Sequence, residues 1–407
     1  MGEIESYTLK NGIRIVHKPD HSPVSYCGIA INAGTRDEEE CESGMAHFVE
    51  HLLFKGTTRR KAWHILNRLE DVGGELNAYT TKEETFVYAT VLSPDFERAM
   101  ELCADVVFHS TFPQNEIDKE VDVIIDEINS YNDSPSELIF DDFENILFEN
   151  YSIGRNILGD IERLQTYTTQ NALDFVHRNY CTDQIVFFSL SDVSFKKIKR
   201  WAEKYLGEVP ERLLQTKRTV PEIYIPQQKT VKKDTHQAHV MLGNRAYSLP
   251  DEKRLTLHLL NNLLGGPGMN SRLNLALRER NGLAYNVESS YTSYSDTGLL
   301  SIYFGTDSKN EDKCRNLVFA ELKKLRNQKL TPVQLTKAKK QLLGQSAISQ
   351  ENKESLSLSL GKSFLYFNRF ESLPEVHKRI EAITAEQLQE VANEILDERR
   401  ISVLSFR

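Results

Sequence analysis

The stretch SGMAHFVEHLLF, residues 43–54, decides how the rest of the chain is read. Met45, Phe48, Val49, Leu52 and Leu53 recur at helical spacing, which predicts an amphipathic helix following a strand over residues 26–33. On that helix His47 and His51 stand at i and i+4, about 40° apart around the axis and one turn apart along it. Both imidazoles therefore reach one metal ion. Glu50, at i+3 from His47, shares their side and is placed to deprotonate a metal-bound water. The pattern H-x-x-E-H is the inverted form of the H-E-x-x-H zinc helix. Its bland counterpart is a helix whose polar face merely carries these three side chains.

Working outward, Asn11-Gly12 between two β-prone runs predicts a hairpin with a two-residue type I′ turn, because both residues tolerate positive φ. Helices are expected over residues 61–72, from Ser93-Pro94 to about 107, and over 114–131, 135–148, 171–180 and 195–206. Strands are expected over 76–80, 85–91 and 184–189. Residues 207–233 hold three prolines among polar side chains and no sustained period, which places a linker at 213–233 between domains 1–212 and 234–407. Past it the order recurs: strand 239–244, helices 251–264 and 270–280, strands 284–291 and 298–304, helices 312–328 and 332–349, last strand 401–406. The recurrence predicts two similar α+β domains, each a mostly antiparallel sheet with helices packed on one face.

Composition narrows the function. With 407 residues, 40% apolar and 27% charged, the chain buries real cores and folds in water. A net charge of −9 argues against a phosphate-backbone binder, so no nucleic-acid partner is expected. The five cysteines, Cys27, Cys41, Cys103, Cys181 and Cys314, show no C-x-x-C spacing, which implies neither a disulfide framework nor a thiolate zinc site and fits a reducing cytoplasm. No run of about 18 apolar residues spans a bilayer, and the start has no signal-peptide pattern, so no membrane partner is expected. MGEIES matches the N-myristoylation pattern at Gly2, for which chance is an equal explanation. No G-x-S-x-G elbow or Walker loop supplies a serine-hydrolase or nucleotide site.

A catalytic zinc needs a third protein ligand. The helix over 114–131 offers Glu116, Asp118, Glu120, Asp122, Asp126 and Glu127, and periodicity alone does not choose among them. The remaining histidines have no adjacent Glu at metal spacing. The helix DEKRLTLHLLNNLL of the second half carries no H-x-x-E-H, so one half is catalytic and the other supporting.

GMAHFVEHLLFKGT, with ELNAYTTKEETFVYATV, KEVDVIIDEI and LRERNGLAYNV, resembles the inverzincin metallopeptidases: pitrilysin, insulin-degrading enzyme and the mitochondrial processing peptidase. The likeness spans both halves and is that of the short two-domain bacterial-type members. It implies a third zinc ligand at Glu127, 76 positions past His51, and a supporting role for Glu120 in orienting a ligand. It implies one zinc ion per chain, with Glu50 as general base. It places extended peptide substrate along an edge strand at Asn77, Ala78 and Tyr79, and assigns Arg278 to the substrate carbonyl and Tyr285 to the oxyanion. GGPGMNSRL, residues 265–273, resembles the family's glycine-rich loop. The implied protein is a homodimeric endopeptidase whose two domains enclose a chamber for unfolded peptides. The alternative is a catalytically silent or partner-dependent peptide-binding subunit of a hetero-oligomeric processing peptidase.

Overall fold

The computed structural model describes residues 3–233 and 235–407, so Gly2, the acceptor of the lipidation pattern, lies outside the described residues. The chain forms two compact units that interleave in sequence, where continuous domains were expected. Unit 1 runs to Ile128 and adds Arg155–Arg218 and Ser349–Phe370; unit 2 comprises Asn129–Gly154, Thr219–Ile348 and Glu371–Arg407. The interleaving has a simple cause: each sheet takes one covering helix from the other half of the chain.

Unit 1 holds β1 (Glu5–Thr8), β2 (Arg14–Pro19), β3 (Val24–Ile31), β4 (Glu75–Thr80), β5 (Thr85–Leu92) and β6 (Ile185–Ser191), in the order β1-β2-β6-β3-β5-β4. Only the β2–β6 pairing is parallel. Because side chains alternate along a strand, the two faces are covered separately. Helices Met45–Leu52, Phe96–His109 and Phe195–Tyr205 pack against one side of this sheet. On the other side Phe86 and Phe188 meet Leu360 and Phe364 of the helix Lys353–Phe367. Gly361 permits that approach, since a Cβ there would lie 2.6 Å from the Phe188 ring. The β1–β2 hairpin forms, but not with the expected turn. Thr8 pairs with Arg14, and of the intervening residues only Gly12 has positive φ, at +95°. Asn11 instead donates its amide to the carbonyls of Leu206 and Val209, both at 2.8 Å.

Unit 2 holds β7 (Gln228–Val231), β8 (Ala238–Ala246), β9 (Ala284–Ser293), β10 (Gly298–Thr306) and β11 (Ser402–Phe406), in the order β7-β11-β8-β10-β9. β7 lies inside the span expected to be linker, where it pairs in parallel with β11. The period of two is explicit in β8. Val240 and Leu242 join Leu257, Leu260, Val318 and Leu322 in one core, while Met241 between them packs with Ile139 and Phe143 of the helix Pro135–Leu147. The expected helix 270–280 is a short widened turn, Asn274–Glu279. Both units repeat strand, helix, edge hairpin and helix, which makes β4 and β9 corresponding edge strands.

Candidate metal centre

The helix Met45–Leu52 is fixed at its start. Gly44 stands at φ +85°, a left-handed conformation that glycine adopts without strain, and an added Cβ would lie 2.7 Å from the Leu158 carbonyl oxygen. The buried Glu38 carboxylate accepts from the Gly44 and Ala46 N–H groups at 3.0 and 2.9 Å, satisfying donors that a helix start leaves open. Phe48, Val49 and Leu52 are buried with no exposed surface, and this sets which way the histidines point.

His47 and His51 lie one above the other, with ring centroids 4.6 Å apart. The helix Gln114–Asn132 buries Ile117, Ile124 and Ile128, and so turns Glu120 and Glu127, two turns apart, toward them. Glu127 Oε1 is 3.9 Å from His47 Nε2, and its Oε2 is 3.7 Å from His51 Nε2. The ligand atoms of His47, His51 and Glu127 all lie within 4.8 Å of one another. A tetrahedral ion with bonds of about 2.0–2.2 Å holds its ligands about 3.3–3.6 Å apart, so small side-chain movements close the set. The other acidic candidates on that helix are engaged or face outward: Glu116 accepts from Lys119, Asp118 from Gln114, and Asp122 and Asp126 are exposed.

Charges around the cluster are strongly graded. Burial, assisted by the neighbouring His51, lowers the His47 pKa to about 4 and keeps that imidazole neutral at physiological pH. Burial also acts to lower His51, but the hydrogen bond to Glu120 and the charges of Glu120, Glu50 and Glu127 outweigh it and raise the ring. Burial raises the Glu50 carboxyl above its usual range, opposed by hydrogen bonds from Thr80. Burial acts to raise Glu120 as well, yet hydrogen bonds from His51 and Lys55 hold it below the usual carboxylate range.

Three residues around the cluster escaped the sequence reading: Glu38, Lys55 and Thr80. Lys55 lies in the turn just past the helix, where helical spacing gives no signal for it. Thr80 ends β4, and Glu38 had no sequence signature. Of the remaining candidates, Asn77, Ala78 and Tyr79 lie on β4, which among the described residues pairs with β5 alone and so forms one edge of the sheet. Asn77 is exposed, and Tyr79 stacks on Phe86 at 5.0 Å. In unit 2 the Arg278 guanidinium lies 5.1 Å over the ring of Tyr285, which is 83% exposed. Both line a groove of about 500 Å³ together with His258 and the glycine-rich segment.

A helix-borne histidine pair facing a glutamate from a second helix, on a two-unit α+β fold, is the arrangement of an inverzincin. Residues 14–161 match the family model "Insulinase (Peptidase family M16)", and residues 166–342 match "Peptidase M16 inactive domain". A Bacillus subtilis protein described as "Uncharacterized zinc protease YmxG" is 34% identical over 396 residues, covering 97% of this chain and 96% of that protein. A Mycobacterium leprae protein, "Uncharacterized zinc protease ML0855", is 31% identical over 406 residues, covering 96% and 89%. The crystal structure of a protease from Helicobacter pylori superposes with a TM-score of 0.92 at 22% identity over 100% of both chains. The peptidase M16 inactive domain structure from Pseudomonas fluorescens gives 0.92 at 20% identity, covering 99% of this chain and 97% of that one. The chain belongs to peptidase family M16, the pitrilysin family, in its short two-domain form.

Proposed function

We propose that this protein is a zinc-dependent endopeptidase of unfolded peptides, with zinc held by His47, His51 and Glu127. The observation that carries the reading is the convergence of those three side chains beside Glu50. Two imidazoles and a carboxylate are a donor set that zinc accepts, and the neutral state of His47 leaves its ring nitrogen free to ligate. The homologues' description as zinc proteases supports the same metal. When bound, zinc supplies Lewis acidity to the attacking water and the scissile carbonyl.

The chain's own residues do the rest. Glu50, whose burial raises its proton affinity, takes the proton of the attacking water and delivers it to the leaving amine. The free edge of β4 at Asn77, Ala78 and Tyr79 pairs with extended substrate main chain, which confers affinity without strict sequence preference. Arg278 holds a substrate carbonyl and the Tyr285 hydroxyl donates to the oxyanion. The active form in this reading is a cytoplasmic homodimer with a closed chamber. Among the described residues no helix is long and apolar enough to cross a membrane.

The test is cleavage of a quenched fluorescent peptide library with and without chelator, beside Glu50→Gln, with bound metal measured in each sample. Cleavage that needs metal and falls about 10³-fold in a Glu50→Gln protein still holding zinc is the expected outcome. A zinc-loaded wild type that cuts nothing defeats the reading.

A further inference from the structure

We infer that Lys55 is a positioning residue of the metal centre, acting through Glu120 on His51. The inference rests on the zinc reading above and concerns what holds one ligand still. Lys55 lies four positions past His51, in the turn that follows the helix, and its Nζ is 2.6 Å from Glu120 Oε2. The other carboxylate oxygen, Oε1, is 3.0 Å from His51 Nδ1. Glu120 is 5% exposed. Each oxygen thus has one dedicated partner, and the buried carboxylate has one orientation that satisfies both.

Two consequences follow for His51. An Nδ1–H donated to Glu120 leaves the ring's lone pair on Nε2, the atom that faces Glu127. The ring plane is also fixed, because Glu120 cannot follow a rotating imidazole without leaving the ammonium. His47 has no such support: its Nδ1 is buried without a hydrogen-bond partner among the described residues, so packing alone orients that ring. Polar fixation of the histidine pair therefore runs through His51, Glu120 and Lys55 in series. A Glu120 deprived of Lys55 is a buried carboxylate anchored at one oxygen only, free to turn away from the imidazole.

The competing explanation is that Lys55 and Glu120 form a plain structural ion pair. Zinc affinity of Lys55→Met, Lys55→Arg, Glu120→Gln and the Lys55→Met/Glu120→Gln double variant, measured by competition with a chelating dye, separates the two. The melting midpoint of each metal-free protein is recorded alongside. Lys55→Met should weaken zinc about 10- to 50-fold, within the range for residues that orient a ligand. Lys55→Arg should return to within about 3-fold of wild type, and the double variant should bind no more weakly than Glu120→Gln by more than about 2-fold. A Lys55→Met protein that melts lower without zinc yet binds it as tightly as wild type overturns the inference, as does a double variant showing the sum of both losses. Failure of the wild type itself to bind zinc defeats the underlying reading instead.

Discussion

Two helices in corresponding places carry His47-Phe48-Val49-Glu50-His51 in unit 1 and His258-Leu259-Leu260-Asn261-Asn262 in unit 2. Each follows a long strand and packs against the edge strand of its sheet, β4 in one unit and β9 in the other. The apolar pair between the polar residues is buried in both. Even the junction to the edge strand is repeated: Glu50 is hydrogen-bonded by Thr80 of β4, while Asn261 donates to the Ser289 carbonyl of β9 at 3.1 Å and accepts from the Ser289 hydroxyl. What differs is the chemistry of two side chains and the presence of a facing carboxylate. Replacing Glu50 and His51 by carboxamides, which neither take up a proton nor ligate zinc well, leaves a packed helix without a reaction. The fold persists where the site does not, because helix burial and edge pairing are indifferent to that exchange.

The largest expected effect tests whether the metal belongs to unit 1 alone. His47→Ala should take the zinc content from one per chain to none and lower cleavage at least about 10³-fold, whereas His258→Ala should keep one zinc per chain. Elemental analysis decides it, and zinc retained by His47→Ala would mean that unit 2 also ligates. Next in size is the helix start. Gly44→Ala forces a left-handed residue into a Cβ clash with Leu158 and should cost about 2–4 kcal/mol. The corresponding helix in unit 2 begins at Lys253 with φ −75°, so Lys253→Ala loses only exposed ion pairs and should cost under about 1 kcal/mol. Equal losses in urea titrations would show that the two helices are anchored alike.

How much of this was legible varied with the kind of interaction. The histidine pair and Glu50 were legible because a helix converts sequence spacing into proximity. Glu127 was not legible from its own helix, where six acids alternate, and only the family resemblance singled it out. Lys353–Phe367 is not legible as a helix because SLSLSL has the period of a strand; it folds as a helix whose buried face is Leu356, Leu360, Gly361 and Phe364. The exchange of covering helices was equally illegible, since pairing between distant segments leaves no local pattern. At Asn11-Gly12 the local pattern specifies a hairpin but not its turn, because a tertiary partner for Asn11 overrides the local preference.

Acid sensitivity offers a comparison in which the units should behave alike. Burial lowers His17 in unit 1 and His258 in unit 2 to about 4, the latter helped by Arg254. A folded pKa below the unfolded value of about 6.5 means that the unfolded chain binds more protons between them. Stability is then complete above about pH 6.5 and is lost as pH falls toward 4, by about 2 kcal/mol per histidine between pH 7 and pH 5. Both tryptophans, Trp63 and Trp201, lie in unit 1, so their fluorescence follows that unit while far-UV circular dichroism follows both. His17→Gln should flatten the pH dependence seen by fluorescence, and His258→Gln should flatten only that part of the dichroism transition which fluorescence does not share. A fluorescence transition moved equally by both variants would show that the units unfold as one.

The smallest effect concerns the repeated junction. If the hydrogen bond between helix and edge strand is only structural, its loss should matter equally in both units; if it holds the base for attack, only unit 1 should show it in turnover. Thr80→Val keeps the side-chain shape and removes the hydroxyl, and should lower kcat about 5- to 10-fold with KM within about 2-fold, equivalent to about 1–1.4 kcal/mol. Thr80→Ser should restore kcat, because the hydroxyl and not the methyl does the holding. Ser289→Ala removes the matching donor from Asn261 and should leave kcat unchanged. The Thr80 hydroxyl also lies 3.5 Å from that of Thr85, which donates to the Ala33 carbonyl at 2.9 Å and so leaves Thr80 free to donate to Glu50. Equal turnover in Thr80→Val and wild type would therefore assign the Thr80 contact to packing and reduce the difference between the units to two ligands, His51 and Glu127, and the base.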